Sequence, residues 1–194
     1  MGLTIIKKNT FFKDLIFKIW LWDAKFKLER IREHITKNEN ILDIGTGPGS
    51  VFLLMNEEGY NVSTIDVEDQ TFSEEIQPKL YDGQKLPYAN GSFDTALLLT
   101  VLHHTQNPKD VLLEAMRVSK RIIIIEDIYS NTLQKYLTFA ADSIVNLEFR
   151  GHPHTNKNDS GWLKLFDELG LKLLARRYDR FSILFKQATY ILEK

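Results

Sequence analysis

Apolar residues in this chain alternate between short unbroken runs and stripes at helical spacing, the two patterns that separate strands from amphipathic helices. Over residues 3–35, Phe11, Phe12, Leu15, Ile16, Ile19, Trp20 and Phe26 recur at mostly helical spacing, with Lys and Asp between them, and predict a helix. Residues 40–44 form an apolar run that predicts a first strand, ending on Gly45-Thr46-Gly47-Pro48-Gly49. The helical pattern resumes over 50–58 and stops at Gly59. Residues 60–66 predict a second strand with Asp66 at its carboxyl end, and the acidic stretch 67–79 is open between short helix and loop. A short third strand precedes the turn Tyr81-Asp82-Gly83, and Leu86-Pro87-Tyr88 and Asn90-Gly91-Ser92 read as connecting turns.

Residues 93–100 predict a buried strand, 103–108 a loop and 109–118 a helix. The β-branched run Ile122-Ile123-Ile124-Ile125 reads as a central parallel strand, with Glu126 and Asp127 just past its carboxyl end. A helix is expected over 131–149, a polar loop over 151–158 and a helix over 160–169 closed by Gly170. Residues 171–178 and 181–188 are the last two strands, antiparallel across a turn at Asp179-Arg180. No repeat, low-complexity tract or linker interrupts the chain, so 1–194 reads as one domain with 1–35 as a helical cap or lid. Strand–helix alternation argues for a doubly wound sheet.

Composition narrows the partners. The 194 residues carry 25 Lys plus Arg against 26 Asp plus Glu, a formal net charge of −1 that disfavours nucleic acid without excluding a local basic patch. There is no cysteine, which removes disulfides and thiolate chemistry. Lys13, Asp14, Lys18 and Asp23 interrupt the apolar N-terminal stretch, so neither a secretory signal nor a membrane span is read there, and a cytoplasmic location is expected. The aromatic density of that helix leaves open a lid over an apolar acceptor or contact with a membrane surface.

The turn Gly45-x-Gly47-x-Gly49 leaves a strand and opens a helix, where glycines allow a tight bend and close approach of backbone to ligand. Pro48 removes one N–H donor, which fits a pyrophosphate cradle poorly. Asp66 can accept hydrogen bonds from both hydroxyls of a ribose. The glycines and Asp66 together point to a nucleoside-containing cofactor.

The segments Ile41-Leu42-Asp43-Ile44-Gly45-Thr46-Gly47-Pro48-Gly49, Asp66, Tyr81-Asp82-Gly83-Gln84-Lys85-Leu86-Pro87-Tyr88, Ser92-Phe93-Asp94 and Val101-Leu102-His103-His104 form a set that resembles the class I S-adenosylmethionine-dependent methyltransferases, especially those acting on small molecules. The resemblance is clear over about residues 38–126. With the alternation, it implies a Rossmann-like, three-layer α/β/α fold with a seven-stranded, mostly parallel sheet and an antiparallel C-terminal strand. It implies S-adenosyl-L-methionine as cofactor. Asp43 would sit near the methionine amino group, and Gly45, Thr46 and Gly47 would line the methionine and ribose. Asp66 would hold the ribose hydroxyls, Val67 would pack beside the adenine, and Asp82 and the Gly83 amide would read the adenine edge. Thr100 would face the methionine portion. Where many relatives carry a Pro-Gly-Gly turn, Ser119-Lys120-Arg121 runs into the strand, and a shorter connection is expected.

Methyl transfer needs no enzyme nucleophile, only alignment and in some cases a base. His104 and Glu126 are the candidate catalytic residues, because both stand at the strand ends where open sheets bind ligands and either side chain can take a proton. His103, Asp127, His152 and His154 are candidate acceptor contacts. His152 and His154 with Asp159 could also suggest a metal, but His-x-His in a loop has no third histidine tied to it by spacing, and no metal is expected. The expected activity is methyl transfer to an unidentified small metabolite, with the aromatic N-terminal helix pointing towards an apolar one. A cofactor-binding regulatory subunit is the alternative, since only the N-terminal helix and residues 128–160 are available to cover an acceptor. A homo-oligomer that completes the pocket remains compatible with the sequence.

Overall fold

The computed structural model describes residues 10–130, 134, 136, 155–180 and 186–194. Its elements are α1 (Thr10–Ile31), β1 (Asn40–Ile44), α2 (Ser50–Glu57), β2 (Asn61–Asp66), β3 (Lys79–Leu80), β4 (Phe93–Leu99), α3 (Pro108–Val118), β5 (Ser119–Ile128), α4 (Asp159–Glu168), β6 (Lys172–Arg180) and β7 (Lys186–Glu193). Short 3-10 turns follow α1 at Arg32–His34 and β4 at Leu102–His104.

The seven strands lie in the order β3-β2-β1-β4-β5-β7-β6. Pairings from β3 through β5 are parallel, and β7 runs antiparallel between β5 and β6. This is the expected doubly wound sheet with its antiparallel last strand. The chain builds outward from β1 to β3 and then returns to β4 on the other side of β1. That reversal opens a crevice at the carboxyl ends of β1 and β4, where such sheets bind ligands.

Alternation along the strands divides the core into two layers. Leu42, Leu98, Ile122, Ile124 and Tyr190 pack against Leu112, Ala115 and Val118 of α3 and Trp162 and Phe166 of α4. Ile41, Leu97, Ile123, Ile125 and Ile191 pack against Leu28 and Ile31 of α1 and Met55 of α2. The strands between are apolar on both faces, which explains the unbroken Ile122–Ile125 run.

Several boundaries differ from the sequence expectation. Glu126 and Asp127 lie inside β5, because β7 pairs with it to the end, Asp127 opposite Gln187 and Ile128 opposite Lys186. The last strand is Lys186–Glu193 rather than 181–188, and Asp179 and Arg180 belong to β6, paired with Gln187 and Lys186 instead of forming a turn. Residues 181–185 lie outside the described residues, and β7 runs on to Glu193 because β5 pairs with it along that length. The stretch 67–79 holds no helix and reaches β3 by bends and turns. The shorter entry to β5 is present: Ser119 begins the strand directly after α3, and its hydroxyl donates to Ala115 O. Most of the expected helix 131–149 lies outside the described residues.

Candidate functional site

The turn after β1 is fixed by Gly45 N, which donates to Ile65 O of β2 at 2.8 Å. Gly45, Gly47 and Gly49 have φ of 76°, 54° and 82°, a region that strains any residue with a Cβ. A Cβ on Gly45 would stand 2.7 Å from the Val101 methyls, and one on Gly49 would stand 2.4 Å from Ile76 Cδ1. A Cβ on Gly47 would meet nothing within 4 Å. The outer two glycines therefore serve protein packing, and Gly47 opens onto space that a ligand can occupy.

Two carboxylates stand near this turn, Asp66 on Gly47 itself and Asp43 towards the end of β1. Asp66 Oδ2 accepts from Gly47 N at 2.8 Å and Oδ1 from Val67 N at 2.7 Å, which orients the group and leaves lone pairs for hydroxyl donors. Burial raises its pKa against the pull of those amides. Asp43 is buried, and its Oδ2 has no hydrogen-bond partner. Burial first, and the neighbouring charge of Asp66 second, push the Asp43 carboxyl up to about 7. Thr46 is buried beside it and donates to Asp43 O. Such a carboxyl is costly to ionise unless a cation comes to it.

Farther out, Val67 is 59% exposed and stands where it contacts the Gly83 turn, 3.3 Å from the position of a Gly83 Cβ. Asp82 Oδ1 accepts from the Gln84 and Lys85 amides, which holds that turn and keeps its carboxyl below the usual range. The turns after β1, β2 and β3 thus sit side by side, and the residues expected around a nucleoside cofactor follow one another along this edge. The buried acid at the turn, the open side of Gly47 and the exposed apolar Val67 fit a ligand with a cationic end, a ribose and a flat apolar base.

Among the described residues, Thr100 is the one non-glycine residue with positive φ, 63°. It ends β4, and its amide donates to Ile125 O at 2.7 Å. Its hydroxyl accepts from Lys27 Nζ of α1 at 2.8 Å. Lys27 is buried, is ion-paired with Asp23, and favours the charged forms of both Asp43 and Asp127. The sequence reading missed Lys27. Its signal was a lysine in register with Ala24, Leu28 and Ile31, on the face of α1 that turns inward.

On the other side of the crevice, register explains the acid pair of β5. Leu99 at the end of β4 lies opposite Ile125, so Glu126 and Asp127 extend beyond β4. They point to opposite faces of the sheet. Glu126 is 0% exposed; Oε1 accepts from Val101 N at 3.0 Å and Leu102 N at 2.7 Å, and Oε2 meets His103 Nδ1. His103 is also 0% exposed, so neither side chain of this pair reaches the surface. His104 is half-buried, with its ring 4.1 Å from the ring of His103. Asp127 faces the α1 layer; burial raises its pKa, opposed by a hydrogen bond with Gln187. Thr155 stitches the start of the last helical segment to this loop, its hydroxyl reaching Leu102 O and Thr105 O and its amide reaching His103 O. His152 and His154 lie outside the described residues.

Residues 42–122 match the family model described as a methyltransferase domain. An uncharacterized protein of Methanocaldococcus jannaschii is 33% identical over 98 residues, which cover 50% of this chain and 47% of that protein. The chain thus spans about half the length of the curated relative it matches. A SAM-dependent methyltransferase from Methanosarcina mazei superimposes with a TM-score of 0.65 at 18% identity, over 84% of this chain and 96% of that one. Magnesium protoporphyrin IX methyltransferase from Synechocystis, solved with bound SAH, gives a TM-score of 0.64 at 15% identity, over 90% of this chain and 83% of that one. At these identities the structural likeness speaks for the fold. The family match begins inside β1 and ends inside β5, across the strands that frame the crevice, so that this part of the chain is similar to a methyltransferase domain and sits in a fold shared with SAM-dependent methyltransferases.

Proposed function

We propose that this chain binds S-adenosylmethionine along the turns after β1, β2 and β3 and transfers its methyl group to a small acceptor held at the ends of β4 and β5. The observation that carries the reading is the buried Asp43 carboxyl with Oδ2 unpartnered, on the strand that runs into the turn whose Gly47 faces open space. An ammonium group placed there satisfies the carboxylate, and Asp66 accepts from the ribose hydroxyls next to it. Val67 gives the adenine an apolar wall, with Asp82 and the Gly83 amide at its edge. Lys27, between Thr100 and Asp43, offers a cation to the carboxylate of the methionine end.

When bound, the cofactor would supply an electrophilic methyl on a sulfonium; a nucleophilic atom of the acceptor would bond to that carbon as its bond to sulfur breaks, with S-adenosylhomocysteine as the leaving thioether. The protein's part is alignment and exclusion of water. α1 roofs the crevice: Phe17 and Trp20 pack on Phe72 beside the glycine turn, while Lys27 reaches Thr100. His104, half-buried in the loop after β4, takes the proton released by an oxygen or nitrogen acceptor. Asp127 is suited to a cationic group on the acceptor. The acceptor is a small molecule rather than nucleic acid, in keeping with a net charge of −1. Among the described residues no helix is long and apolar enough to cross a membrane.

The test is methyl transfer from radiolabelled S-adenosylmethionine into a low-molecular-weight metabolite fraction, with the labelled product identified by mass. The expected result is a labelled small molecule, with His104→Ala reducing its formation roughly 100-fold or more. Strong cofactor binding with no labelled product in any fraction would instead support the regulatory-subunit reading.

A further inference from the structure

The carboxylate that organises the acceptor side is Glu126, and it makes no contact with the surface. A carboxylate presents acceptors only, and this one meets three donors: the amides of Val101 and Leu102 on Oε1 and the imidazole of His103 on Oε2. These bonds fix the first three residues after Thr100. Val101 is also the residue whose methyls fill the place of a Gly45 Cβ, so the loop held by Glu126 packs directly on the cofactor turn. At its other end the same loop carries His104 and receives Thr155 through Leu102 O and His103 O. One buried side chain therefore sets the spacing between the glycine turn and the acceptor loop.

We infer that Glu126 is a positioning residue: it holds the Val101–His103 backbone against the glycine turn and fixes His103 as the Nδ1–H tautomer, so that cofactor affinity and the pose of His104 depend on a group that touches neither ligand. This rests on the cofactor reading above. Glutamine at this position keeps the shape and still accepts from both amides through its carbonyl. Its amide then donates to His103 Nδ1, which forces the proton onto Nε2. Glutamine thus separates loop geometry from tautomer, whereas alanine removes both.

The experiment compares wild type, Glu126→Gln, Glu126→Ala and Ile124→Ala, a change in the same strand and core layer whose apolar side chain makes no hydrogen bond to the loop. S-adenosylmethionine affinity is read by calorimetry, thermal stability by melting, and the His103 tautomer by imidazole 15N shifts. The expected result is a loss of affinity of about tenfold or more for Glu126→Ala, and of no more than about threefold for Glu126→Gln. His103 changes from Nδ1–H to Nε2–H in Glu126→Gln, and Ile124→Ala loses stability with affinity unchanged. The inference is overturned if affinity falls in step with stability across all three variants, or if the tautomer is the same in wild type and Glu126→Gln. Should Glu126→Ala not fold, the glutamine tautomer and the Ile124→Ala affinity still decide it. Failure of wild type to bind the cofactor would count against the cofactor reading instead.

Discussion

Asp43 concentrates the physics of this site at the scale of one residue. Unfolded, its carboxyl ionises near 3.8; folded, burial and Asp66 hold its proton to about 7. The folded state thus binds more protons between these values, and the chain loses stability as pH rises from about 4 to about 7. Asp43→Asn should therefore stabilise the unliganded protein at pH 8 by roughly 1–2 kcal/mol, measured by urea denaturation, while weakening the cofactor. A cation at Asp43 favours the ionised form, so binding S-adenosylmethionine releases a proton. Affinity should rise with pH up to about 7 and level off above it. Calorimetry in buffers of different ionisation enthalpy should detect the released proton in wild type and none in Asp43→Asn. A pH-independent affinity would contradict this account. The sequence identified Asp43 because it precedes a glycine turn, but its missing partner and raised pKa come from burial, which no single sequence position displays. His103 is the reverse case: the sequence puts it among the acceptor contacts and favours His104 as base, but carries no sign that His103 turns inward onto Glu126.

At the scale of elements, the glycine turn and α1 do different work. Gly49 opens α2 in a left-handed conformation and leaves Ile76 in the space of a side chain. Gly49→Ala should cost about 2–4 kcal/mol by denaturation, combining backbone strain with overpacking. The Asn158 side chain accepts from Gly161 N at the start of α4, and Asn158→Ala should cost only about 1 kcal/mol and leave the cofactor unaffected. Lys27 places a charge from α1 over the crevice. Lys27→Met should weaken S-adenosylmethionine about tenfold but leave methylthioadenosine, which lacks the amino-acid end, unchanged. Equal losses for both ligands would remove Lys27 from the carboxylate. Helical periodicity predicted α1 from the sequence, yet not its orientation. Leu15, Ile19, Trp22 and Phe26 are exposed although they form an apolar stripe, while the buried face carries Lys27 and Arg30. Apolar residues on both sides of the helix left hydropathy unable to choose.

Across the whole molecule, local pattern carried most of the architecture. Unbroken apolar runs marked β1, β4 and β5, because strands covered on both faces need apolar residues at every position. Strand ends were less legible where pairing decides them. Glu126 and Asp127 continue β5 because β7 runs beside them, and the polar residues Gln187 and Thr189 belong to a strand whose neighbour β5 is distant in sequence. The proposed cofactor half of the site was legible because it is built from consecutive turns, each following its own strand. The proposed acceptor half was not, since the groups assigned to it come from α1, the loop after β4 and the end of β5, which are distant in sequence.

The most direct test of the central claim is a calorimetric titration of the purified chain with S-adenosylmethionine, with Asp66→Ala beside it. The account predicts saturable binding at a single site per chain and a loss of affinity of roughly tenfold or more when the ribose-binding carboxylate is removed. A folded wild-type chain that binds no S-adenosylmethionine, or an Asp66→Ala chain that binds it equally well, would contradict it.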